Sequence, residues 1–103
     1  MIPALIEDKR AELARLCVKR HVRRLELFGS AATGRFDPVR SDLDFLVEFD
    51  DLQPAEYAED YFALLHALED LFERPIDLVT VRSLTNPYFV REIERDRTLL
   101  YAA

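Results

Sequence analysis

The feature that most constrains the fold is the run from Leu43 to Phe49, in which apolar and polar side chains alternate. Four apolar residues occupy every second position, namely Leu43, Phe45, Val47 and Phe49. Because successive side chains of a strand point to opposite faces, this alternation predicts a strand with one face buried against a core. The opposite face then carries Asp42, Asp44, Leu46 and Glu48.

Other patterns predict a small sheet combined with helices. Apolar spacing and a Pro or Asn-Pro start signal predict helices over three segments, about Pro3–Lys19, Pro54–Phe72 and Asn86–Arg95. Two further strands are predicted, Val22–Phe28 and Ile76–Val81. The closing TLLYA, residues 98–102, fits either a short strand or a helical tail. Strands separated by helices indicate an α/β or α+β domain whose sheet is covered on at least one face.

Composition narrows the class of protein. A chain of 103 residues predicts one domain, 1–103. Its formal net charge of −6 argues against direct nucleic-acid binding, which usually needs a basic surface. No apolar run is long enough for a membrane helix. The single cysteine, Cys17, cannot form an internal disulfide, so the expected compartment is the reducing cytoplasm.

Paired aspartates are the first candidate site. In a strand, Asp42 and Asp44 project side by side, about 6.5–7 Å apart along the chain. Two such carboxylates either shift a pKa or share a cation, and magnesium suits their oxygen atoms. Asp77 lies near the start of the third strand and would join them if that strand neighbours the second. Three carboxylates could hold two metal ions for in-line nucleotidyl displacement. The alternative is an ordinary acidic surface.

The second candidate site is the turn that follows the first strand. Gly29 and Ser30 stand where backbone N–H groups can converge on phosphate oxygens. The alternative is a turn glycine followed by a helix cap, because Ser30 could open a short helix reaching about Gly34. A P-loop is excluded, since no lysine follows in GSAATG. The chain has only two glycines, Gly29 and Gly34, and both lie in this connection.

Taken together, these motifs resemble the minimal nucleotidyltransferase family of the polymerase β superfamily. The hallmark is Gly-Ser, a spacer, Asp-X-Asp and a later aspartate, here Gly29-Ser30, Asp42-Leu43-Asp44 and Asp77. The strings SDLDFLVEF and NPYFVREIERDRTLLYA are also similar to the family, so the resemblance covers nearly the whole chain. It implies a nucleotidyltransferase fold with a polymerase β-like palm, in which a small mixed sheet packs against helices.

The resemblance also implies a role for each motif residue. Gly29 and Ser30 would hold the triphosphate of ATP. Asp42 and Asp44 would bind magnesium that bridges the phosphates. Asp77 would complete a second metal site and help to activate the attacking hydroxyl. Asp42, Asp44 and Asp77 are thus the expected catalytic residues and metal ligands.

One position departs from the family pattern. Family members often have Arg-Gly where this chain has Thr33-Gly34. Arg35 or Arg40 could supply the missing positive charge, and Arg35 is the expected triphosphate ligand.

The resemblance also implies a binding partner. Small members of the family are typically antitoxins, whose partner is a helical HEPN-domain ribonuclease that receives AMP on a tyrosine. The chain has no obvious acceptor-binding domain, so the acceptor is expected on another molecule. Two alternatives stay open: an antitoxin that neutralises its partner by binding alone, and a nucleotidyltransferase for a small hydroxylated molecule. Self-association is left open.

The remaining conspicuous residues receive structural interpretations. His21 and His66 have no recognisable Cys or Asp partner at ligand spacing, so both are expected to be structural. The aromatic pair Tyr88 and Phe89 is interpreted as core, with a base-stacking platform or a partner surface as alternatives.

Overall fold

The computed structural model of the chain describes residues 2–29, 32 and 42–103, and it places helices and strands in alternation along them. The helices are α1 Ala4–Glu7, α2 Arg10–Lys19, α3 Pro54–Phe72 and α4 Pro87–Asp96, with a 3₁₀ turn at Val81–Ser83. The strands are β1 Val22–Phe28, β2 Leu43–Phe49, β3 Ile76–Thr80 and β4 Thr98–Ala102. The predicted bounds of β1, β2 and α3 are confirmed.

A four-stranded mixed sheet with the strand order β3-β2-β1-β4 organises these elements. Strand β1 is antiparallel to both β2 and β4, whereas β2 and β3 are parallel. A parallel pair needs a long crossover connection, and α3 supplies it. The predicted mixed sheet packed against helices is therefore confirmed.

Helices cover both faces of the sheet. The apolar face of β2 packs with β1, α2 and α3 in the main core, to which Leu27, Phe45, Leu64 and Leu68 contribute fully buried side chains. On the other face, Phe28 and Leu46 are buried together with Ile93 of α4. Leu46 lies on the same face of β2 as Asp44, so α4 covers the middle of the face that carries the aspartates.

Two predictions of element bounds need correction, and one open alternative is decided. The first predicted helix is two helices, because the N–H of Lys9 bonds to the carbonyl of Ile6 at 3.0 Å and interrupts the helical ladder. Residues 7–12, EDKRAE, offer no large apolar side chain to hold one straight helix on the core, and the break leaves Ile6 and Leu13 both buried. Strand β3 ends one residue before its predicted end. The closing TLLYA is a strand, since it pairs with β1.

His21, between α2 and β1, has the partner that the sequence did not reveal. Its Nδ1 lies 2.8 Å from Oδ2 of Asp60, a buried residue of α3. Arg20 Nη1 approaches the other oxygen of Asp60 at 3.6 Å. His21 has a left-handed backbone, with φ of 61°, and its carbonyl accepts a hydrogen bond from the N–H of Asp50 at 2.8 Å. The cluster therefore fixes the turn that leads into β1.

Among the residues that the structure describes, no helix combines the length and the hydropathy that crossing a membrane requires.

Candidate active site

Gly29 directly follows β1 and has a backbone conformation that glycine adopts more readily than any other residue. Its φ is +72°, in the left-handed region. A Cβ at this position would overlap the carboxylate of Asp44. The carbonyl of Gly29 accepts a hydrogen bond from the N–H of Ala32 at 3.1 Å. The backbone thus turns directly against the aspartate, as a site for phosphates beside carboxylates would require.

The other predicted triphosphate ligands, Ser30 and Arg35, lie outside the residues that the structure describes. The same holds for Thr33, which departs from the family pattern, and for Arg40.

Strand register brings two of the predicted carboxylates together. Asp44 of β2 and Asp77 of β3 are direct partners in the parallel pair, which confirms that the third strand neighbours the second. Phe28 of β1 is the partner of Asp44 on the other side. Asp42 immediately precedes β2, on the same face by the alternation of the strand. Asp44 is half-buried, whereas Asp42 and Asp77 are exposed.

The site is electrostatically crowded. The pKa of Asp44 is raised from 3.8 to about 6, mainly by burial and then by the negative charges of Asp77 and Asp42. A hydrogen bond between Asp44 and Asp77 acts in the same direction, so the neutral form of the Asp44 carboxyl is favoured as the donor. Crowding of this kind favours the uptake of a cation or a proton and is frequent at functional sites.

The fit of a metal ion can be judged from the carboxylates themselves. Within residues 2–29, 32 and 42–103, no group of three His, Cys, Asp or Glu side chains is arranged to hold a metal ion. Asp44 and Asp77 instead share the hydrogen bond, and Asp42 acts on Asp44 through its charge. The hard oxygen donors and their mutual repulsion suit magnesium, which would replace the shared proton.

Helix α4 supports the site from the side of β1. The ring of Phe89 meets the ring of Phe28 edge to face, with centroids 6.2 Å apart and planes at 84°. Glu26, buried on the same face of β1 as Phe28, pairs with Arg24 at 2.9 Å and with Arg97, just beyond α4, at 3.1 Å. The helix is therefore held to the sheet at both of its ends.

Tyr88 and Phe89 correct one prediction. Tyr88 is 75% exposed and Phe89 is 37% exposed, so the interpretation of this pair as core is wrong. The reason is geometric, because α4 turns Ile93 into the buried cluster, whereas Phe89 meets that cluster at the ring of Phe28.

Tyr61 of α3 reaches the same end of the sheet from the edge of β3. Its hydroxyl donates a hydrogen bond to the carbonyl of Leu78 at 2.7 Å. Burial, followed by the negative charge of Asp77, raises the pKa of the Tyr61 phenol. The ring of Tyr61 packs against the main core. The hydrogen bond of the Tyr61 hydroxyl was not predicted from the sequence, because it depends on how α3 packs against β3.

A cavity of about 460 Å³ lies away from the aspartates, at the opposite ends of β2 and β3. Its lining includes Glu48, Asp50, Tyr57 and Arg82. The guanidinium of Arg82 lies 4.5 Å from the centre of the Tyr57 ring. Because no predicted site residue contributes to this cavity, it is not part of the candidate active site.

A glycine turn beside registered carboxylates on a small mixed sheet suits an enzyme that handles nucleotide phosphates. The chain belongs to the nucleotidyltransferase domain family, whose model matches residues 10–100. The family predicted from the motifs is thereby confirmed.

Sequence relatives and solved structures agree with this membership. A Methanocaldococcus jannaschii protein named "Putative protein adenylyltransferase MJ1379" is 38% identical over 78 residues, which are 76% of each chain. A solved structure described as a "putative minimal nucleotidyltransferase" is 30% identical, with a TM-score of 0.77 and coverage of 95% of both chains.

Two more distant structures share the fold. One is a toxin–antitoxin structure with AMP-PNP, at 21% identity, a TM-score of 0.68 and coverage of 91% of this chain and 73% of the other. The second is a tri-AMPylated Shewanella oneidensis HEPN toxin in complex with an MNT antitoxin, at 20% identity and a TM-score of 0.58. That match covers 94% of this chain and 72% of the other.

Proposed function

We propose that this protein is a magnesium-dependent, cytoplasmic antitoxin that transfers AMP from ATP to a hydroxyl, that of a tyrosine, on a HEPN-type toxin. The observation that carries the proposal is the strand register of Asp44 with Asp77, next to the left-handed turn at Gly29. Family membership supports nucleotidyl transfer. The choice of a protein acceptor rests on the M. jannaschii relative and on the toxin–antitoxin structures.

Each carboxylate has a role that follows from its position. Asp42, Asp44 and Asp77 would hold the magnesium, in two ions, which when bound neutralises charge on the α-phosphoryl oxygens and on pyrophosphate. Gly29, with Ser30 and Arg35 as proposed further ligands, would hold the β- and γ-phosphates. Asp77 is exposed and lies on the edge strand β3, where an incoming acceptor would approach it.

The reaction is an in-line displacement at the α-phosphorus. The acceptor hydroxyl oxygen forms the new bond to phosphorus, and the bond from phosphorus to the bridging oxygen of pyrophosphate breaks. The hydroxyl proton passes to a site carboxylate, for which Asp77 is placed at the edge. Pyrophosphate leaves with the electron pair of the broken bond.

The chain's own charge favours the proposed partner. A formal net charge of −6 would attract a basic RNA-cleaving protein and steer its approach. The partner is to be sought in the neighbouring gene, as a short, mostly helical protein with an Arg-X4-6-His motif.

The test is to incubate the protein with labelled ATP, magnesium and this partner. We expect AMP on a partner tyrosine, and a loss of about a hundredfold or more in rate for Asp42→Asn, Asp44→Asn and Asp77→Asn. Asp70→Asn, on an exposed position of α3, is the matched control and should retain the rate. A chelator should stop labelling, and added magnesium should restore it.

The result separates catalysis from neutralisation by binding alone. If no label reaches the partner while wild type and Asp42→Asn neutralise the toxin equally, the protein is a binding antitoxin and the proposal fails. A screen of small hydroxylated acceptors without the partner protein would reveal the remaining alternative.

A further inference from the structure

The first turn of α4 exposes two aromatic rings, which we call the aromatic pair, Tyr88 and Phe89. Asn86 accepts a hydrogen bond from the N–H of Tyr88 at 2.9 Å and caps the helix, and Pro87 occupies the next position. The start of the helix is thus fixed, and the rings are held where they are exposed. Exposed aromatic rings on a fixed element are suited to binding a flat, apolar ligand.

The aromatic pair lies at the carboxylate end of the sheet. Phe89 contacts Phe28, which directly precedes Gly29 and is the sheet partner of Asp44. One turn further along α4, Ile93 packs on Phe28 and Leu46. The end of the helix is fastened farther back on β1, where Arg97 pairs with Glu26. The N-terminal turn of α4 therefore points towards the site.

The two sides of the site differ. On one side lies the edge strand β3 with Asp77, which is open to an incoming acceptor. On the other side lie β1, the turn at Gly29 and the aromatic pair. The aromatic pair adjoins the proposed phosphate site on this second side, because Phe89 contacts Phe28, the residue that precedes Gly29.

We propose that the aromatic pair is the stacking surface for the nucleobase of the nucleoside triphosphate. The inference rests on the proposed function, since it assigns a base-binding role next to the proposed triphosphate site. Every nucleobase has a π-face, so stacking supplies affinity for the nucleoside with little selectivity among bases. Selectivity for ATP would then have to come from polar groups at the base edge.

The test compares two ligands that differ by the nucleoside, ATP and inorganic tripolyphosphate, each titrated calorimetrically with magnesium. Tyr88→Ala and Phe89→Leu each remove one ring. We expect each variant to bind ATP about tenfold more weakly than wild type and to bind tripolyphosphate unchanged. Phe89→Tyr, which keeps the ring, should bind ATP as wild type does. Phe62→Ala, at a residue of α3 that is 56% exposed, is the matched control.

A fluorescence measurement gives a second readout, because the chain contains no tryptophan. In Tyr88→Trp, the introduced indole should be quenched by ATP and unaffected by tripolyphosphate. In Phe62→Trp, neither ligand should change the emission. This readout needs no loss of binding, so it does not depend on how well a ring-deleted variant folds.

Distinct results overturn the inference and the proposed function. If wild type binds ATP and the ring-deleted variants match it, with unchanged Tyr88→Trp emission, the base-stacking role is wrong while the proposed function stands. If the variants bind ATP normally but label the partner with a raised KM for it, the aromatic pair serves the acceptor and the inference is also wrong. If wild type binds neither ligand, the proposed function itself fails.

Discussion

Gly29 couples backbone conformation to the position of a carboxylate. Replacing it with alanine places a Cβ at a positive φ and against the Asp44 side chain. We expect Gly29→Ala to lower the free energy of unfolding by roughly 1–2 kcal/mol, measured by urea denaturation. The loss of transferase rate should be larger than this cost implies, because the Asp44 carboxylate must turn away to make room.

A double-mutant cycle separates the two causes. In an Asp44→Ala background, Gly29→Ala keeps the strain of a positive φ but no longer meets the carboxylate. Its cost should therefore be smaller than in wild type. If Gly29→Ala lowers the free energy of unfolding equally in both backgrounds, the contact with Asp44 does not contribute to the destabilisation.

His21 makes stability depend on pH. The hydrogen bond to Asp60 raises the pKa of His21 above 6.5, and the charges of Asp60, Asp50 and Glu56 add to it, although desolvation opposes them. A raised pKa in the folded state gives stability that is fully present below the unfolded-state pKa and is lost as pH rises through the folded one. The stability advantage of wild type over His21→Asn should thus be larger near pH 6 than near pH 8.5.

Asparagine is the suitable replacement at this position, because it tolerates the left-handed backbone better than other residues do. Urea denaturation at a series of pH values provides the measurement. His66→Asn, at an exposed position of α3, is the matched control. If the stability difference between wild type and His21→Asn stays constant across this pH range, His21 is not the source of the pH dependence.

Among the elements, α3 ends in a residue that is poorly suited to its backbone. Glu73 follows the helix with φ of 52° and bonds through its N–H to the carbonyl of Glu69. Glycine is preferred at this type of helix end because it lacks a Cβ. We expect Glu73→Gly to raise the free energy of unfolding by about 0.5–1 kcal/mol, measured by thermal and urea denaturation.

A Glu-to-Gly substitution inside the helix should have the opposite effect on the free energy of unfolding. Glu59→Gly, at an exposed position in the second turn of α3, should destabilise the protein by about 1 kcal/mol. If Glu73→Gly also destabilises, its side chain makes a contact that outweighs the backbone preference.

The elements also show what local patterns can predict. The alternation in β2 and the long apolar stripe of α3 span many residues, so their bounds follow from the sequence alone. The break between α1 and α2 depends on how Ile6 and Leu13 reach a common core, which periodicity does not encode. The segment TLLYA is too short for its local pattern to distinguish a strand from a helix. Its conformation is set by pairing with β1, which lies far away in the sequence.

For the molecule as a whole, the rate at which the Cys17 thiol is alkylated reports on global unfolding. The side chain is fully buried in the main core, and burial raises its pKa from 9.0 to about 12. The thiolate is the reactive form, so we expect alkylation of the native protein near neutral pH to be slower than that of the urea-unfolded chain by orders of magnitude.

Stability variants supply the control for this measurement. Destabilising Gly29→Ala should speed labelling in proportion to its effect on the unfolding equilibrium, if labelling requires global unfolding. Fast labelling of the native protein would instead show a local opening of α2.

The site was predictable to the extent that it is local. Strand alternation alone places Asp42 and Asp44 on one face, and the Gly29 turn follows from composition. The contribution of Asp77 required that β3 lie beside β2, which the motif implied but periodicity could not establish. Asp60 was missed as the partner of His21 because the two residues lie 39 positions apart and nothing nearby links them.

The strand order also bears on how the protein emerges from the ribosome. Strand β1 occupies the interior of the sheet, yet one of its two neighbours, β4, is translated after β1, β2 and β3. Until Thr98–Ala102 leaves the exit tunnel, one edge of β1 has no partner, and Glu26 lacks the arginine that follows α4. The carboxylates can meet earlier, once β3 has emerged, so a nascent chain would assemble its acidic cluster before its sheet is complete.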